Sequence, residues 1–464
     1  MSSELKLTLA HLQQAMMCQL QSGAEHALIM SREIHTVVTD SRKIIPGCLF
    51  VALRGESFDA HDFLADVAKS GAAAVVVEHV PANFPLPAFI VPNTLHALAE
   101  IALYWRKRFT LPVIAVTGSN GKTTVKEMIS AILNAAYGEG FYLSTKGNLN
   151  NEIGVPQTIY RLTNQHAAAV LELGMNHPGE IARLAAMALP TVGLVNNAQR
   201  EHQEFMQSVA AVAEENGAVI LSLPEDGVAV FPAGDAYSDL WRSYAGQRKV
   251  LTFGLLNPQV PADISASYQA SEFGNDMQIH IGKEQLSVQL AAAGLHNVLN
   301  ALAAAASCHA IGCSATAIFN GLKNFTPVSG RLQKKQAANL ATIIDDTYNA
   351  NPDSVRAAID VLAQAGGQKI LVLGDMGEVG ESGPAYHQEI GLYAQQQGID
   401  ILLTLGELAS SSSAVFGARA QHFNTTESLL QHLDGCVPST ATVLIKGSRF
   451  MKMERVVAYL TARI

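Results

Sequence analysis

The chain has 464 residues, too many for one ordinary hydrophobic core, so roughly two to four domains are expected. Its formal net charge is −9 and it holds no basic run, which argues against a nucleic-acid-binding or anionic-membrane surface. Although 48% of the residues are hydrophobic, no stretch reaches the roughly 18 apolar residues of a membrane span. Five scattered cysteines in no metal-binding spacing read as reduced thiols, and the opening MSSELKLTLAHLQQAMMC lacks the apolar core of a signal peptide. A soluble cytoplasmic protein is the expectation.

In chain order, three blocks emerge. In the first, 1–92, VVTDSRKIIPGCLFVAL, the helix-like FLADVAKSGA and the strand-like AAVVVE make a small α/β unit, closed by the proline-rich VPANFPLPAFIVPN. The second, 93–325, opens on the strand Val113–Val116 and the loop TGSNGKTT. Behind the loop, Val125, Met128, Ile129, Ile132 and Leu133 repeat at the spacing of one helical face, with Gly138 as the stop. AAAVLELG, GEIARLAAMA and TVGLVNNA continue an alternation that implies a mostly parallel sheet. A strand-rich segment near 248–293 and the helix LHNVLNALAAAASCHAIG follow. The third block, 326–464, alternates the strands TIIDD, QKILVLGDM, DILLTLGE and ATVLIKGS with helices, and reads as doubly wound. The fold class is therefore α/β, with three domains.

The loop joins a strand to a helix N-terminus, where free N–H groups and the helix dipole favour an anion. Gly118 and Gly121 allow unusual backbone angles and close ligand approach. Lys122 supplies a charge for outer phosphates and Thr123 a hydroxyl for Mg²⁺. This is a phosphate-binding loop of variant spacing, since Val116 stands five before Gly121 where the usual motif has glycine. Six further clusters lie at strand ends or on helix faces. Glu172, ending an apolar strand, is placed to hold Mg²⁺ opposite Thr123. LVNNAQREHQEF carries Asn196, Asn197 and His202, and KGNLNNEIGVPQT is a polar turn with Asn150 and Asn151. His296, Asn297 and Asn300 share one helix face, where the amides either read a nucleobase edge or cap the helix. Arg331 is suited to steadying phosphoryl charge, with Asp346 and Tyr348 to Pro352 in a strand-to-helix loop beyond it. GDMGEVGE and KGSR complete the set as charged, glycine-rich turns.

Taken together, TGSNGKTT, LELG, HNVLNA, GR and KGSR, in this order, resemble the Mur ligases, ATP-dependent amide-forming enzymes of bacterial peptidoglycan synthesis. DTYNANPDS, LGDMGEVGE and KGNLNNEIGVPQT resemble the branch that joins D-Ala-D-Ala to UDP-MurNAc-tripeptide, and DSRKIIPGCLFVALRGESFDAHDF its N-terminal UDP-binding unit. The resemblance spans essentially the whole chain. It implies a UDP-substrate domain at 1–92, a central ATP-binding domain at 93–325 and a Rossmann-like domain for the incoming dipeptide at 326–464. It also implies an enzyme using ATP and Mg²⁺; a monomer is the default expectation.

Residue by residue, the resemblance places Gly118, Ser119, Asn120, Gly121, Lys122, Thr123 and Thr124 around the phosphates, with Thr123 and Glu172 on a first Mg²⁺ and His202 on a second. Asn297 and Asn300 match adenine-contacting asparagines, and Arg331 and Asp346 match C-terminal residues that reach ATP on closure. Lys122, Glu172, His202 and Arg331 are thus the implied catalytic set. Ser41 and Arg42 fall toward the uridine end and Asn150 and Asn151 along the muramoyl portion. Tyr348, Asn349, Asn351, Lys446, Ser448 and Arg449 fall toward the peptide or dipeptide. One departure is visible. Where related ligases often carry a carbamylated lysine, Asn216 stands here, so no such lysine is expected; Glu214 and Glu215 read as substitute ligands or as a solvated helix face. Rival readings are a folylpolyglutamate synthase, the ligase adding the third amino acid, a motor or switch ATPase, and an inactive nucleotide-binding module. The missing NKxD and DNPR-like loops, and the unexplained HN helix, weigh against the alternatives. Because Arg331 and Asp346 lie across a domain boundary from the phosphate loop, rotation of the third block onto the second is expected.

Overall fold

The computed structural model describes residues 5–21, 29–55, 57–201 and 203–462. It is an α/β protein with one principal sheet per sequence block. The N-terminal sheet has the order Leu20–Gln21, Ala88–Ile90, Ala74–Val77, Leu49–Val51, Val37–Val38, parallel except at its first pairing. Ala88–Ile90 lies within the proline-rich stretch read as a closing linker. It is a three-residue strand hidden between Pro87 and Val91, too short to give a periodicity.

The central sheet has nine strands. From one edge they are Glu284–Leu290, Gly274–Ile281, Ile264–Ser271, Lys249–Leu255, Val228–Pro232, Val192–Val195, Val113–Thr117, Ala168–Glu172 and Tyr142–Ser144. Only the first two pairings are antiparallel. The middle strands are apolar throughout because both faces are covered. Val113 and Ala115 enter one core and Ile114 and Val116 the other; Ala169 and Leu171 oppose Ala168 and Val170 in the same way. The first of these cores also takes in Leu5, Leu7, Leu9 and the helix Thr94–Arg106, so the N-terminal unit and the central sheet share packed side chains. Asn93 starts that helix by accepting the His96 N–H at 2.9 Å.

The C-terminal sheet runs Gln333–Gln336, Thr342–Asp346, Thr442–Lys446, Lys369–Gly374, Ile401–Leu405, Ala420–Phe423, with only the edge strand Gln333–Gln336 antiparallel. Ile343 and Ile344 again point to opposite cores. The four serines at 410–413 open the helix Ser410–Phe416. The strands Val113–Thr117, Ala168–Glu172, Val192–Val195 and Thr342–Asp346 all deliver their C-terminal ends to one cleft between the central and C-terminal sheets.

The helix Lys122–Tyr137, which stops at Gly138, is braced from behind by the helix Ala315–Lys323. A Cβ at Gly321 would sit 2.4 Å from the Ile132 Cα. Gly321→Ala should therefore force the helices apart and cost about 1–3 kcal/mol. A lower urea midpoint for the central domain's unfolding is the expected reading; an unchanged midpoint would contradict this close packing.

Candidate active site

The strand Val113–Thr117 ends in a loop whose shape demands glycine twice. Gly118 has φ +128° and Gly121 φ +82°. A Cβ at Gly121 would lie 2.4 Å from Asn300 Oδ1 and 2.7 Å from Asn196 Nδ2. Amides hold the loop in place. Asn216 Oδ1 accepts the Gly118 N–H at 2.8 Å, and Asn197 Oδ1 accepts the Asn120 N–H at 2.9 Å. Asn196 and Asn197 each donate to the Asn120 carbonyl, at 2.8 and 3.0 Å. The first-turn N–H groups of the helix Lys122–Tyr137 have no intrahelical acceptors and face the cleft, an arrangement suited to phosphate.

Charge gathers at the helix start. Lys122 Nζ donates to the carbonyls of Gly118 and Ser119, at 2.5 and 3.1 Å, and to Glu201 Oε1 at 2.7 Å. Thr123 Oγ1 donates to Glu172 Oε1 at 3.1 Å, and Asn150 Nδ2 donates to the same oxygen at 2.9 Å. Glu172 is buried, and its Oε2 has no hydrogen-bond partner. A buried carboxylate oxygen without a donor is costly, and a divalent cation would satisfy it. With the Thr123 hydroxyl it forms a hard oxygen donor set that fits Mg²⁺. Among the described residues no cluster of three or more His, Cys, Asp or Glu forms a metal cage. Such an ion would complete its shell with water and phosphate oxygens. His202, the expected ligand of a second Mg²⁺, lies outside the described residues.

The cleft has a volume of about 920 Å³. Ser119 to Thr124 line its floor, and Asn150, Asn151, Glu172, Asn197, Asn297 and Asn300 its central-domain walls. Arg331, Asp346, Tyr348, Asn349, Asn351 and Lys446 come from the C-terminal side. Arg331 crosses the boundary: its Nη2 donates to Thr123 Oγ1 at 2.9 Å while its guanidinium lies 4.2 Å from the centre of the Tyr348 ring. Asn351 Nδ2 donates to Asn120 Oδ1 at 2.9 Å, so a side chain of the phosphate loop pairs directly with the C-terminal domain. Asp346 accepts from Lys446 Nζ at 2.6 Å and from the Leu332 N–H at 3.2 Å.

Asn297 and Asn300 do more than sit on one helix face. Asn300 Nδ2 donates to Asn297 Oδ1 at 3.0 Å, Asn196 Nδ2 donates to Asn300 Oδ1 at 2.9 Å, and Asn297 Nδ2 donates to the Ala293 carbonyl at 2.8 Å. The relay ends at Asn196, whose Oδ1 is buried and unpartnered. Beside it, burial pushes the His296 imidazole down to about 4, with Asp346 opposing and Lys446 reinforcing the shift.

Several expected contacts fall elsewhere. Ser41 and Arg42 do not line this cleft; they form the short 3₁₀ turn Ser41–Lys43, capped by Asp40, and Arg42 is exposed and ion-paired to Asp40 at 2.9 Å. Asn151 Oδ1 accepts the N–H groups of Ile153 and Gly154, so it also fixes the following helix. Ser448 is buried, accepting from the Gly377 N–H at 2.7 Å and donating to the Ala350 carbonyl at 3.1 Å; it ties loops together behind the wall. Arg449 faces a second recess on the far side of Tyr348.

The reading of Glu214 and Glu215 as metal ligands or a solvated face is corrected for Glu215. It is buried, and its carboxylate accepts the N–H groups of Gly179 and Ile181, both at 2.7 Å, capping the helix Glu180–Ala188. Glu214 is exposed. Asn216 bonds the phosphate loop. Sequence reasoning did not single out Gln199, Arg200 or Asp353. Gln199 Oε1 accepts from Asn120 Nδ2 at 2.6 Å, and Arg200 pairs with Asp353 at 2.6 Å, partners 153 positions apart with no local signal to join them.

Three family models match in order: the Mur ligase family catalytic domain over residues 33–106, the Mur ligase middle domain over 116–308, and the Mur ligase glutamate ligase domain over 330–449. A relative in Escherichia coli K12, a UDP-N-acetylmuramoyl-tripeptide–D-alanyl-D-alanine ligase, is 40% identical over 98% of both chains. The chain belongs to the Mur ligase family. A Bacillus subtilis Mur ligase of the same description is 34% identical over 91% of this chain and 92% of its own. Among solved structures, MurF from Acinetobacter baumannii superimposes with a TM-score of 0.92 at 34% identity, covering 99% of this chain and 100% of that one. The Thermotoga maritima MurF ligase in complex with ADP gives 0.83 at 27% identity, over 92% and 97%. As a Mur ligase the chain is an ATP-dependent enzyme that forms C–N bonds.

Two outcomes follow from this geometry. Gly121→Ala combines left-handed strain with a clash against Asn300, and should weaken ADP binding at least about tenfold by calorimetry. His296 stays neutral in the fold, while the unfolded chain protonates it near its ordinary 6.5. The unfolded state therefore binds more protons between those values, and the stability involved is complete above 6.5 and lost as pH falls toward about 4. Replacing His296 by glutamine should flatten the fall of the urea midpoint across that window.

Proposed function

We propose that this Mur ligase adds D-Ala-D-Ala to UDP-MurNAc-tripeptide, using ATP and Mg²⁺ and giving UDP-MurNAc-pentapeptide. The observation that carries the reading is Arg331 of the C-terminal domain bonded to Thr123 of the phosphate loop, beside a buried Glu172 oxygen with no hydrogen-bond partner. One cleft thus holds phosphate-binding and transition-state charge from two domains. The names of the full-length relatives supply the substrates.

A carboxylate is a poor electrophile at neutral pH, so the reaction runs in two steps. An oxygen of the tripeptide's terminal carboxylate attacks the γ-phosphorus, giving an acyl phosphate and ADP. The dipeptide amine then attacks the acyl carbon, loses a proton, and the tetrahedral intermediate expels phosphate. Bound Mg²⁺ would neutralise phosphate charge. Glu172 and Thr123 would hold it, and His202 is our proposed ligand for a second ion. Lys122, turning from its loop carbonyls, would take the outer phosphates, and Arg331 would meet the charge that develops on the transferred group. Gly118 to Thr124 would cradle the nucleotide, with Asn297, Asn300 and Asp346 toward its base and sugar. Asn150 and Asn151 would border the acceptor strand of substrate, and Tyr348, Asn349, Asn351, Lys446 and Arg449 the peptide side.

The same reading assigns UDP-substrate binding to residues 1–92, with Ser41 and Arg42 near the uridine, ATP binding to 93–325 and dipeptide binding to 326–464. It takes the enzyme as a cytoplasmic monomer, because one chain completes the cleft. Among the described residues no helix is long and apolar enough to cross a membrane.

The test is phosphate release from Mg·ATP with UDP-MurNAc-tripeptide and D-Ala-D-Ala each present or absent, the product being followed by mass. Release only with both, and a pentapeptide product, is expected; release with neither would overturn the reading. Lys122→Ala should lower the turnover by at least about a hundredfold.

A further inference from the structure

The segment that leaves the strand Val192–Val195 runs beside the phosphate loop and is fastened to it at every second residue. Asn197 Oδ1 accepts the Asn120 N–H at 2.9 Å, and the Asn197 carbonyl accepts the Ser119 N–H at 3.2 Å. Gln199 Oε1 accepts from Asn120 Nδ2 at 2.6 Å, while the Gln199 N–H donates to Ser119 Oγ at 2.9 Å. Glu201 comes next in this alternation, and its Oε1 accepts from Lys122 Nζ at 2.7 Å. An extended chain presents alternate side chains to one face, so Asn197, Gln199 and Glu201 bring amide, amide and carboxylate along the loop.

Glu201 thereby stands where Lys122 would meet the outer phosphates. Its side chain is 11% exposed and that of Lys122 13%, so the pair is screened far less than a surface ion pair. Both line the cleft with Thr123 and Glu172. Two acceptors on one ammonium stand about 4–5 Å apart, so a phosphate oxygen bonded to Lys122 would have the Glu201 carboxylate as its neighbour. For an anion the charges here do not balance. At the helix start the central domain brings one ammonium and the partial charge of the helix dipole against two carboxylates, Glu201 and the buried Glu172. A polyphosphate adds several further negative charges. A divalent cation carried on the phosphates offsets that repulsion and makes the Glu201 carboxylate an attractive neighbour.

We propose that Glu201 is a specificity-determining residue of the phosphate site: its carboxylate, held on the Lys122 ammonium, repels a metal-free nucleotide and admits one that carries a divalent cation. Glu172 and Thr123 would hold the cation, whereas Glu201 makes its presence a condition of binding. This rests on the placing of Lys122 at the outer phosphates, and it uses side chains of the central domain alone. A neutral side chain at this position would leave the Lys122 charge uncompensated and so favour the free nucleotide.

The experiment is calorimetric titration of ADP into wild type and Glu201→Gln, with Mg²⁺ in excess or with a chelator in its place. Glutamine keeps an oxygen for Lys122 and loses the charge. Metal-free ADP should bind Glu201→Gln about tenfold more tightly than wild type, while Mg·ADP changes by less than about threefold. Glu201→Asp, which keeps the charge, should retain the wild-type dependence on metal. Glu225→Gln removes an exposed charge just before the strand Val228–Pro232, at the end of the sheet away from the cleft, and should alter neither affinity. Equal losses with and without metal in Glu201→Gln would leave Glu201 only a part in orienting Lys122 and overturn the proposal. Metal-free binding that fails to tighten would overturn it too. Should the glutamine variant lose its fold, Glu201→Ser repeats the comparison. If Lys122→Ala binds Mg·ADP as wild type does, the placing of Lys122 fails, and the Glu201 titrations still decide whether this carboxylate sets the metal dependence.

Discussion

The cleft depends on the packing of asparagine amides around a glycine loop. Gly118 and Gly121 leave room for backbone, and Asn196, Asn197, Asn216 and Asn300 fill it with donors and acceptors. A phosphate site must present N–H groups at fixed points, and a loop of bare backbone would collapse or wander without a ligand. Here the amides supply the bonds that keep the loop open. They are neutral, so they do not compete with Lys122 for the incoming charge. Because all four arise from strand ends or helices at least 75 residues downstream, the loop's shape is a property of the whole central sheet.

The position of Asn216 shows what the same framework does with a departure from the family's pattern. A side chain at this point on the helix Val209–Leu221 faces the start of the loop. A lysine would extend past the loop toward the cleft; asparagine is short enough to stop at the Gly118 N–H. Its neighbour Glu215 is drawn the other way, to the N-terminus of the helix Glu180–Ala188, where two N–H groups and the helix dipole favour a carboxylate. Neither side chain is available as a metal ligand. Among the described residues, Glu172 and Thr123 are left as the oxygen donors facing one another at the helix start.

Across the cleft the domains meet through polar side chains, while Ala293 and Phe273 of the central domain pack against a C-terminal apolar core. Arg331 on Thr123, Asn351 on Asn120 and the Arg200 pairs are all polar and lie around a wide cleft. Polar interfaces of this kind can open at modest cost, which an enzyme whose site lies between two domains requires.

Much of this was legible in the residues. The apolar run Val113 to Val116, the glycine loop and the helical spacing behind it specify strand, loop and helix through local backbone preferences and face burial, and each appears where it was read. TIIDD coincides with the strand Thr342–Asp346 for the same reason. Most of the candidate residues line one cleft because parallel strands all end on the same side of their sheet. The strand Ala88–Ile90 escaped notice because three residues carry no period. Ser448 looked like a substrate contact and proved to be a loop tie, since a hydroxyl's role depends on which backbone groups surround it. The sequence alone thus determined the elements, the fold class and the chemical types brought to the site, all of which follow from neighbours along the chain. Only the tertiary structure decided which amide meets which N–H, where Glu215 and Asn216 turn, and that Arg200 finds Asp353. Those pairings join residues far apart in sequence, and no local preference encodes them.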